Sequence, residues 1–204
     1  MPNYVKNNVL ISGDKETIKK VAKALRKGGN FSFNNFIPMP KSLSIESSSA
    51  VDDAIDAIKK GRKAIAEFKK KEEEWGEGRG DKYIKLGHTA LKNIEKYGAK
   101  DWYDWCRLNW GTKWDACDTS IMIRNECISI TFDTAWNAPY PIYAAIARKF
   151  PTISIEVEYA DEDLGNNCGT ISYEDGEFLG EVDGDFDFAC NIWGCDPSEF
   201  EEEE

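Results

Sequence analysis

The stretch "TSIMIRNECISITFDTAWNAPYPIYAAIARKFPTISIEVEYA", residues 119–160, narrows the possible folds more than any other part of this chain. Its apolar period switches from two to 3.6 and back again. Ile121 and Ile123 share one face of an extended segment, and Ile128, Ile130 and Phe132 share one face of the next, with Asn125-Glu126 as the turn between them. Tyr143, Ile146, Ala147 and Phe150 then recur at i, i+3, i+4 and i+7, the spacing of a helix face. Pro139 or Pro141 suits the first helical turn, where a missing N–H costs nothing, and Pro151 ends the helix. Beyond it Ile153, Ile155, Val157 and Tyr159 point one way and Glu156 and Glu158 the other. A β-β-α-β run of this kind closes as half of an antiparallel sheet with a helix across one face.

The N-terminal segment supplies a matching half. "YVKNNVLISG" reads as a strand, and "DKETIKKVAKALRKGG" as a helix with Asp14 as N-cap and Ile18, Val21, Ala22 and Leu25 on its apolar face. "FSFNNFIPMP" reads as a second strand, stopped by Pro38 and Pro40. After a serine-rich loop come a long helical segment from Val51 with a weak point at Gly61, a break at "GEGRGDK", a second helix through "KYIKLGHTALKNIEKYGAK" and a short aromatic one in "DWYDWCRLNWG". "CGTISYEDGEFLGEV" closes the pattern as a hairpin with Asp175-Gly176 at its turn. Setting aside the helical block and the extra strands leaves β-α-β-β-α-β, the ferredoxin-like split βαβ arrangement, with no iron–sulfur ligand spacing. The expected class is therefore α+β. Residues 1–40 form an N-terminal β-α-β part, 41–112 a helical insertion, 113–196 a C-terminal ferredoxin-like part, and 197–204 an acidic, solvated tail.

Charge also divides the chain. Residues 1–100 hold 21 Lys and Arg against 13 Asp and Glu, a balance of +8, whereas residues 101–204 hold 5 against 24, a balance of −19. Such asymmetry points to charged partners or to contact between the halves. No apolar run approaches the roughly 20 residues a membrane span needs, and "MPNYVKNNVLISG" lacks the apolar core of a secretory signal. The expected compartment is the cytoplasm, with no membrane partner. Cys106, Cys117, Cys127, Cys168, Cys190 and Cys195 show no C-x-x-C pair. They read as unpaired thiols rather than a zinc site.

"NWGTKWDA" (109–116), "ITFDTAWNAPYPIYAAIARKFP" (130–151) and "YADEDLGNNCGTISYEDGEF" (159–178), together with the N-terminal "MPNYVKNNVLISG" and "FSFNNFIPMP", resemble a family of uncharacterised phage and plasmid proteins with a C-terminal ferredoxin-like domain. The resemblance covers most of the chain, the helical insertion and the last residues least. It implies a mobile-element origin and the same fold. It carries no agreed activity and no catalytic residues.

Nothing in the residues assembles a catalytic constellation. His88 is the one histidine, on a lysine-rich helix away from any nucleophile motif. Asp183, Asp185 and Asp187 fit the first three ligand positions of a calcium loop, but Phe188 stands where glycine is needed and Gly194 where a bidentate glutamate should be. They would nonetheless be the starting point for a metal-dependent enzyme, the third-ranked reading. Neither metal nor cofactor is expected. The tryptophans Trp102, Trp105, Trp110, Trp114 and Trp136 read as packing residues, with a partner-binding surface as the alternative.

The leading expectation is a non-enzymatic mobile-element protein that binds a host protein through an acidic surface made of Glu156, Glu158, Asp161, Glu162, Asp163, Glu174, Asp175, Asp183, Asp185 and Asp187. A host protein with a basic nucleic-acid-binding groove, such as part of a CRISPR or other defence system, would suit it, the carboxylates standing in for phosphates. The alternative is a nucleic-acid-binding accessory module that uses Lys59, Lys60, Arg62, Lys63, Lys69, Lys70 and Lys71 of the insertion. The −19 half disfavours direct nucleic-acid binding. Within the insertion, the stripe Val51, Ile55, Ile58, Ile65 and Phe68 is expected to pack on Leu91, Ile94 and Trp102, so that apolar burial rather than charge holds it.

Overall fold

A computed structural model describes residues 2–200. Residues 201–204, the end of the acidic tail, lie outside the described residues, and Pro197–Phe200 forms a short 3-10 turn. The chain divides into two compact units. Met39–Leu108 is one, and the segments on either side of it together form the other.

The second of these, the sheet unit, opens with β1 (Tyr4–Ser12) and α1 (Lys15–Leu25). Asp14 caps α1, its carboxylate accepting from the N–H groups of Glu16 and Thr17. After the helical unit the chain returns as β2 (Cys117–Ile123), β3 (Cys127–Ala135), α6 (Tyr140–Lys149), β4 (Ser154–Asp161), β5 (Cys168–Glu174), β6 (Glu177–Asp183) and α7 (Phe186–Trp193). The strands form one antiparallel sheet in the order β2-β3-β1-β4-β5-β6. Its first four strands with α1 and α6 are the split βαβ arrangement, extended by the β5–β6 hairpin. Asp175 and Gly176 at that hairpin's turn both take positive φ, 52° and 80°, as a two-residue type I′ turn requires.

One segment departs from the expected pattern. Residues 31–40 are not a strand. Phe33–Asn35 is a 3-10 turn. The Asp115 carboxylate accepts from the Ser32 hydroxyl and from Phe33 N–H at 2.7 Å, which folds the segment inward. Phe31 and Phe33 then pack on Phe132, and Phe33 also on Trp110. β1 has no edge to offer a second early strand, because β3 and β4 occupy both. The strand that completes the first βαβ half therefore comes after the helical unit.

One face of the sheet carries Val5, Val9 and Ile11 of β1, Ile128, Ile130 and Phe132 of β3, Ile155, Val157 and Tyr159 of β4, and Ile171 and Tyr173 of β5, all buried. α1 covers it through Ile18, Val21 and Leu25, and α6 through Ile142, Tyr143 and Ile146. Each such side chain contributes roughly 1.5–3 kcal/mol on burial. Between β3 and α6 lie only residues 136–139. Trp136 reverses the chain with a φ of 72°, its N–H donating to Asn3 O and its carbonyl accepting from Asn167 Nδ2.

α7 has no counterpart in the sequence reading, which placed no helix after the last hairpin and compared its start with a calcium loop that the later positions do not fit. Asp185 is its N-cap, accepting from Phe188 N–H at 2.9 Å. It covers one end of the opposite sheet face, packing Ala189, Phe188, Ile192 and Trp193 on Ala160 and Cys168. Trp193 Nε1 donates to Ala160 O and Asp161 O, and the Lys6 ammonium lies 4.5 Å from the Trp193 ring centroid.

The helical unit contains α2 (Ser49–Lys60), α3 (Arg62–Glu73), α4 (Arg79–Tyr97) and α5 (Trp102–Asn109), the last ending one residue beyond it. Gly61, with a φ of 98°, separates α2 from α3, a conformation that would strain any side chain. Val51, Ile55 and Phe68 are buried with Ala54, Tyr83, Ile84 and Ala90, while Ile58, Ile65 and Leu91 pack at the margin. Ile94 is not part of that core. It is 41% exposed, and Tyr83 and Ile84 supply the α4 contribution instead. Glu46 accepts from Lys82 at 2.9 Å and from the Tyr83 hydroxyl at 2.7 Å. The Lys82 ammonium, and then the phenol, pull its carboxyl down to about 2.

Candidate functional site

The sheet is acidic in its regular strands as well as in its loops. Its six strands carry nine carboxylates: Asp118, Asp133, Glu156, Glu158, Asp161, Glu174, Glu177, Glu181 and Asp183. Lys6 is the one lysine or arginine in those strands, and it is stacked on Trp193. Strand alternation sorts these groups by face.

Glu156 and Glu158 project from β4 onto the face that α7 covers only in part, and both are exposed. Their lateral neighbours follow from the register. Leu10 and then Ser129 lie beside Glu156, and Asn8 and then Thr131 beside Glu158. On the other side Ser172 and Thr170 continue the rows to β5. Asn8, Leu10, Ser129, Thr131, Glu156 and Glu158 line a shallow depression of about 270 Å³. Leu10 and Met122 leave apolar surface exposed along the Glu156 row. At the α7 end, Asp133 pairs across to Lys6, and burial raises its carboxyl above the usual range while the Lys6 charge opposes the shift.

The expected acidic surface is thus not one patch. Asp161 is buried, and its carboxylate accepts from Asn3 Nδ2 at 3.0 Å, Asn167 Nδ2 at 3.1 Å and Asp163 N–H at 2.9 Å. It ties the start of β1 to the β4–β5 loop and is not available to a partner. Glu162, Asp163, Asp183, Asp185 and Asp187 are exposed near that same end of the sheet, Asp185 being engaged as the α7 cap. Glu174 and Asp175 are exposed at the far end of β5, six residues from Cys168, or roughly 20 Å along an extended strand.

Glu181 was missed by sequence reasoning. It lies opposite Ile171 and so faces the helix-bearing side, where its Oε1 accepts from the hydroxyls of Tyr140 and Tyr159. Those two hydroxyls are 3.2 Å apart. Burial raises both phenols, Tyr159 to about 12, and the Glu181 carboxylate adds to the shift. Both therefore remain donors at neutral pH. Nothing in the sequence marks Tyr140, Tyr159 and Glu181 as neighbours, because the β5–β6 register that joins them is set by a bulge between Ser172 and Tyr173.

Among the described residues, no group of three or more His, Cys, Asp or Glu side chains could hold a metal ion, and no helix is long and apolar enough to cross a membrane. Asp183, Asp185 and Asp187 are thus not gathered into a ligand set. His88 is exposed on α4. Cys195 Sγ lies 3.5 Å from Cys190 O, and all six cysteines are free. Trp105 and Trp110 are buried, whereas Trp114 and Trp136 flank the Lys113 ammonium at 5.0 and 5.1 Å. In the helical unit, Lys59, Lys60, Arg62, Lys63, Lys70 and Lys71 are exposed, and Lys69 pairs with Asp81. Asp53, Asp56 and Glu67 share a groove with Lys60 and Lys71, so the basic residues form no single-sign surface.

Fold and strand order define an α+β protein with a ferredoxin-like domain. Residues 109–204 match the family model described as the ferredoxin-like domain in Api92-like protein, DUF1281 C-terminal. That match begins after β1, the strand on which both β3 and β4 pair. Among solved structures, the crystal structure of a protein api92 from Yersinia pseudotuberculosis is 10% identical, with 90% of this chain and 98% of that chain covered and a TM-score of 0.48. No curated protein matches the chain.

Proposed function

We propose that this protein is a non-enzymatic binding protein whose sheet unit engages a basic partner protein. The observation that carries the reading is the ratio within the sheet, nine carboxylates, of which only Asp161 is buried, to a single stacked lysine. A folded surface of one sign steers an oppositely charged partner and rejects like-charged ones. Glu156 and Glu158 stand on open β-sheet, Glu156 beside exposed Leu10 and in one row with exposed Met122 on β2, so carboxylates and apolar surface are presented together. The resemblance seen in the sequence adds a setting. In a phage or plasmid protein, the partner would be a host protein with a basic nucleic-acid-binding groove, such as a component of a defence system.

The test is capture from bacterial lysate with the full chain immobilised, comparing low salt with about 0.5 M salt, where the screening length falls to a few ångströms. The expected result is a specific basic protein held at low salt, released at high salt, and not held by the Glu156→Lys, Glu158→Lys double variant. Capture of the same proteins by wild type and double variant alike would refute the reading.

A further inference from the structure

β6 is one of the two edge strands of the sheet, paired with β5 alone, and every residue in it except Gly180 is exposed. Its backbone direction can be read from two contacts. Gly184 N–H turns inward to Cys168 O at 2.9 Å, and Val182 O also lies over β5, so close that a Cβ on Gly169 would meet it at 2.4 Å. In an antiparallel strand the N–H and C=O of one residue address the same neighbour, and those of the next residue address the other side. Glu181 and Asp183 therefore turn their N–H and C=O groups away from β5, where no further strand follows among the described residues. β6 carries no lysine or proline to blunt its edge; its bulge lies toward its start, opposite Ser172 and Tyr173, and its carboxylates reject acidic strands and not basic ones.

The side chains along this edge are of two kinds. Phe178, Leu179 and Val182 are 51%, 61% and 68% exposed. Glu181 and Asp183 lie opposite Ile171 and Gly169, on the helix-bearing side, and Val182 lies opposite Thr170, on the other. The Glu181 carboxylate is already oriented by Tyr140 and Tyr159, so little side-chain freedom remains to be lost when a cation arrives. β5 and β6 together carry Glu174, Glu177, Glu181 and Asp183 and no lysine or arginine.

From this geometry we infer that β6 is a docking edge for an extended basic segment of a partner protein. The segment adds as a seventh strand along Gly180–Asp183, with lysine or arginine side chains beside Glu181 and Asp183 and apolar ones over Val182. The inference rests on the proposed reading that the partner is basic, and it adds an edge contact to the Glu156 and Glu158 face, Val182 lying in one row with Thr170 and Glu158. A second copy of the chain fits poorly. An antiparallel copy of β6 centred on Gly180 sets Glu177 opposite Asp183 twice, and like charges directly opposite destabilise a sheet pair.

The test uses the full chain and a short peptide of alternating lysine and valine, with a peptide carrying glutamate for each lysine as control, followed by amide NMR. With the lysine peptide, shifts should concentrate in Glu177–Asp183, and exchange of the Glu181 and Asp183 amides should slow by about tenfold or more as they become hydrogen-bonded. Glu181→Gln should weaken binding, and Glu181→Pro should weaken it further. Proline removes the outward N–H while leaving the β5 ladder intact, which edge positions tolerate. The amide spectrum of each variant shows whether its fold is kept. Equal binding by the two variants, or equal binding of the glutamate peptide, overturns the inference. So does protection of these amides that depends on protein concentration without peptide, which would assign the edge to a second copy. Shifts centred on Glu156 and Glu158 overturn the edge but leave the acidic reading standing. Silence with the lysine peptide while lysate capture succeeds overturns the edge alone, and failure of both removes the reading as well.

Discussion

The Tyr143 hydroxyl donates to Asn7 Oδ1 at 2.7 Å, joining the middle of α6 to the middle of β1 across 136 positions of sequence. Both residues are buried. Asn7 Nδ2 in turn reaches Val5 O, Phe132 O and Thr134 Oγ1, so the amide is saturated. Removing one partner from such a network leaves a buried acceptor without a donor. Tyr143→Phe should therefore cost roughly 1–3 kcal/mol in chemical denaturation. In a double-mutant cycle with Asn7→Ala, the two losses should be clearly less than additive. Additive losses would mean the two side chains stabilise the fold independently.

β1 lies between β3 and β4 and pairs with both along most of its length, from Val5 to Ser12. A fragment of residues 109–204, the whole of the family-model match, has a gap where that strand belongs. It should melt without a cooperative transition, whereas the full chain melts cooperatively. A sharp two-state melt of the fragment would show that β3 and β4 can close on each other.

Two glycines of α4 make graded predictions. A Cβ on Gly80 would sit 2.7 Å from Lys69 Cα and 2.9 Å from Lys69 O, so the α3 backbone itself must move. A Cβ on Gly87 would meet Ile58 Cδ1 at 2.9 Å, the tip of a side chain that can turn aside, but also Ala54 Cβ at 3.2 Å and the Ile55 backbone N at 3.3 Å, which yield only by a small shift of α2. Overpacking costs about 1–3 kcal/mol, and alanine in place of helical glycine returns up to about 1. Both substitutions should be net destabilising in urea titration, Gly80→Ala by clearly more than Gly87→Ala. The reverse order would contradict the α3–α4 contact.

The tyrosines set the alkaline limit of the sheet unit. Burial raises Tyr140, Tyr143, Tyr159 and Tyr173 above the ordinary 10.0, and Tyr159 reaches about 12. A phenol raised in the folded state stabilises it through the neutral form. That contribution is whole below about pH 10 and is lost as pH rises towards about 12, because the folded state then holds more protons than the unfolded one. Phenolate absorbance should rise in two steps, the second coinciding with loss of near-ultraviolet circular dichroism. A single titration near pH 10 with the fold intact would contradict the burial of these side chains.

Much of the sheet is legible in the sequence because strands buried on one face must alternate. Ile153, Ile155, Val157 and Tyr159 against Glu156 and Glu158 leave no other reading, and both faces are as expected. Residues 31–40 mislead for the same reason. Phe31 and Phe33 alternate like strand residues, but what fixes them is Asp115, 82 positions from Phe33, and that partner has no local signature. α7 escapes because "DGDFDF" hides a cap and a first turn inside a run of acids. The surface is legible as charge and not as geometry. Composition shows an acidic half, yet only the fold shows that Asp161 is spent inside it and that Glu181 is held at the edge.

The most direct test of the binding account is the dissociation constant of the captured partner, measured against two charge variants of the full chain. Glu156→Lys with Glu158→Lys alters the sheet unit, and Lys63→Glu, Lys70→Glu and Lys71→Glu together alter the helical unit. The account predicts that the first variant loses about tenfold or more in affinity, equivalent to about 1.4 kcal/mol, and that the second binds as wild type. Unchanged affinity in the first with loss in the second would contradict it and place binding on the basic helices.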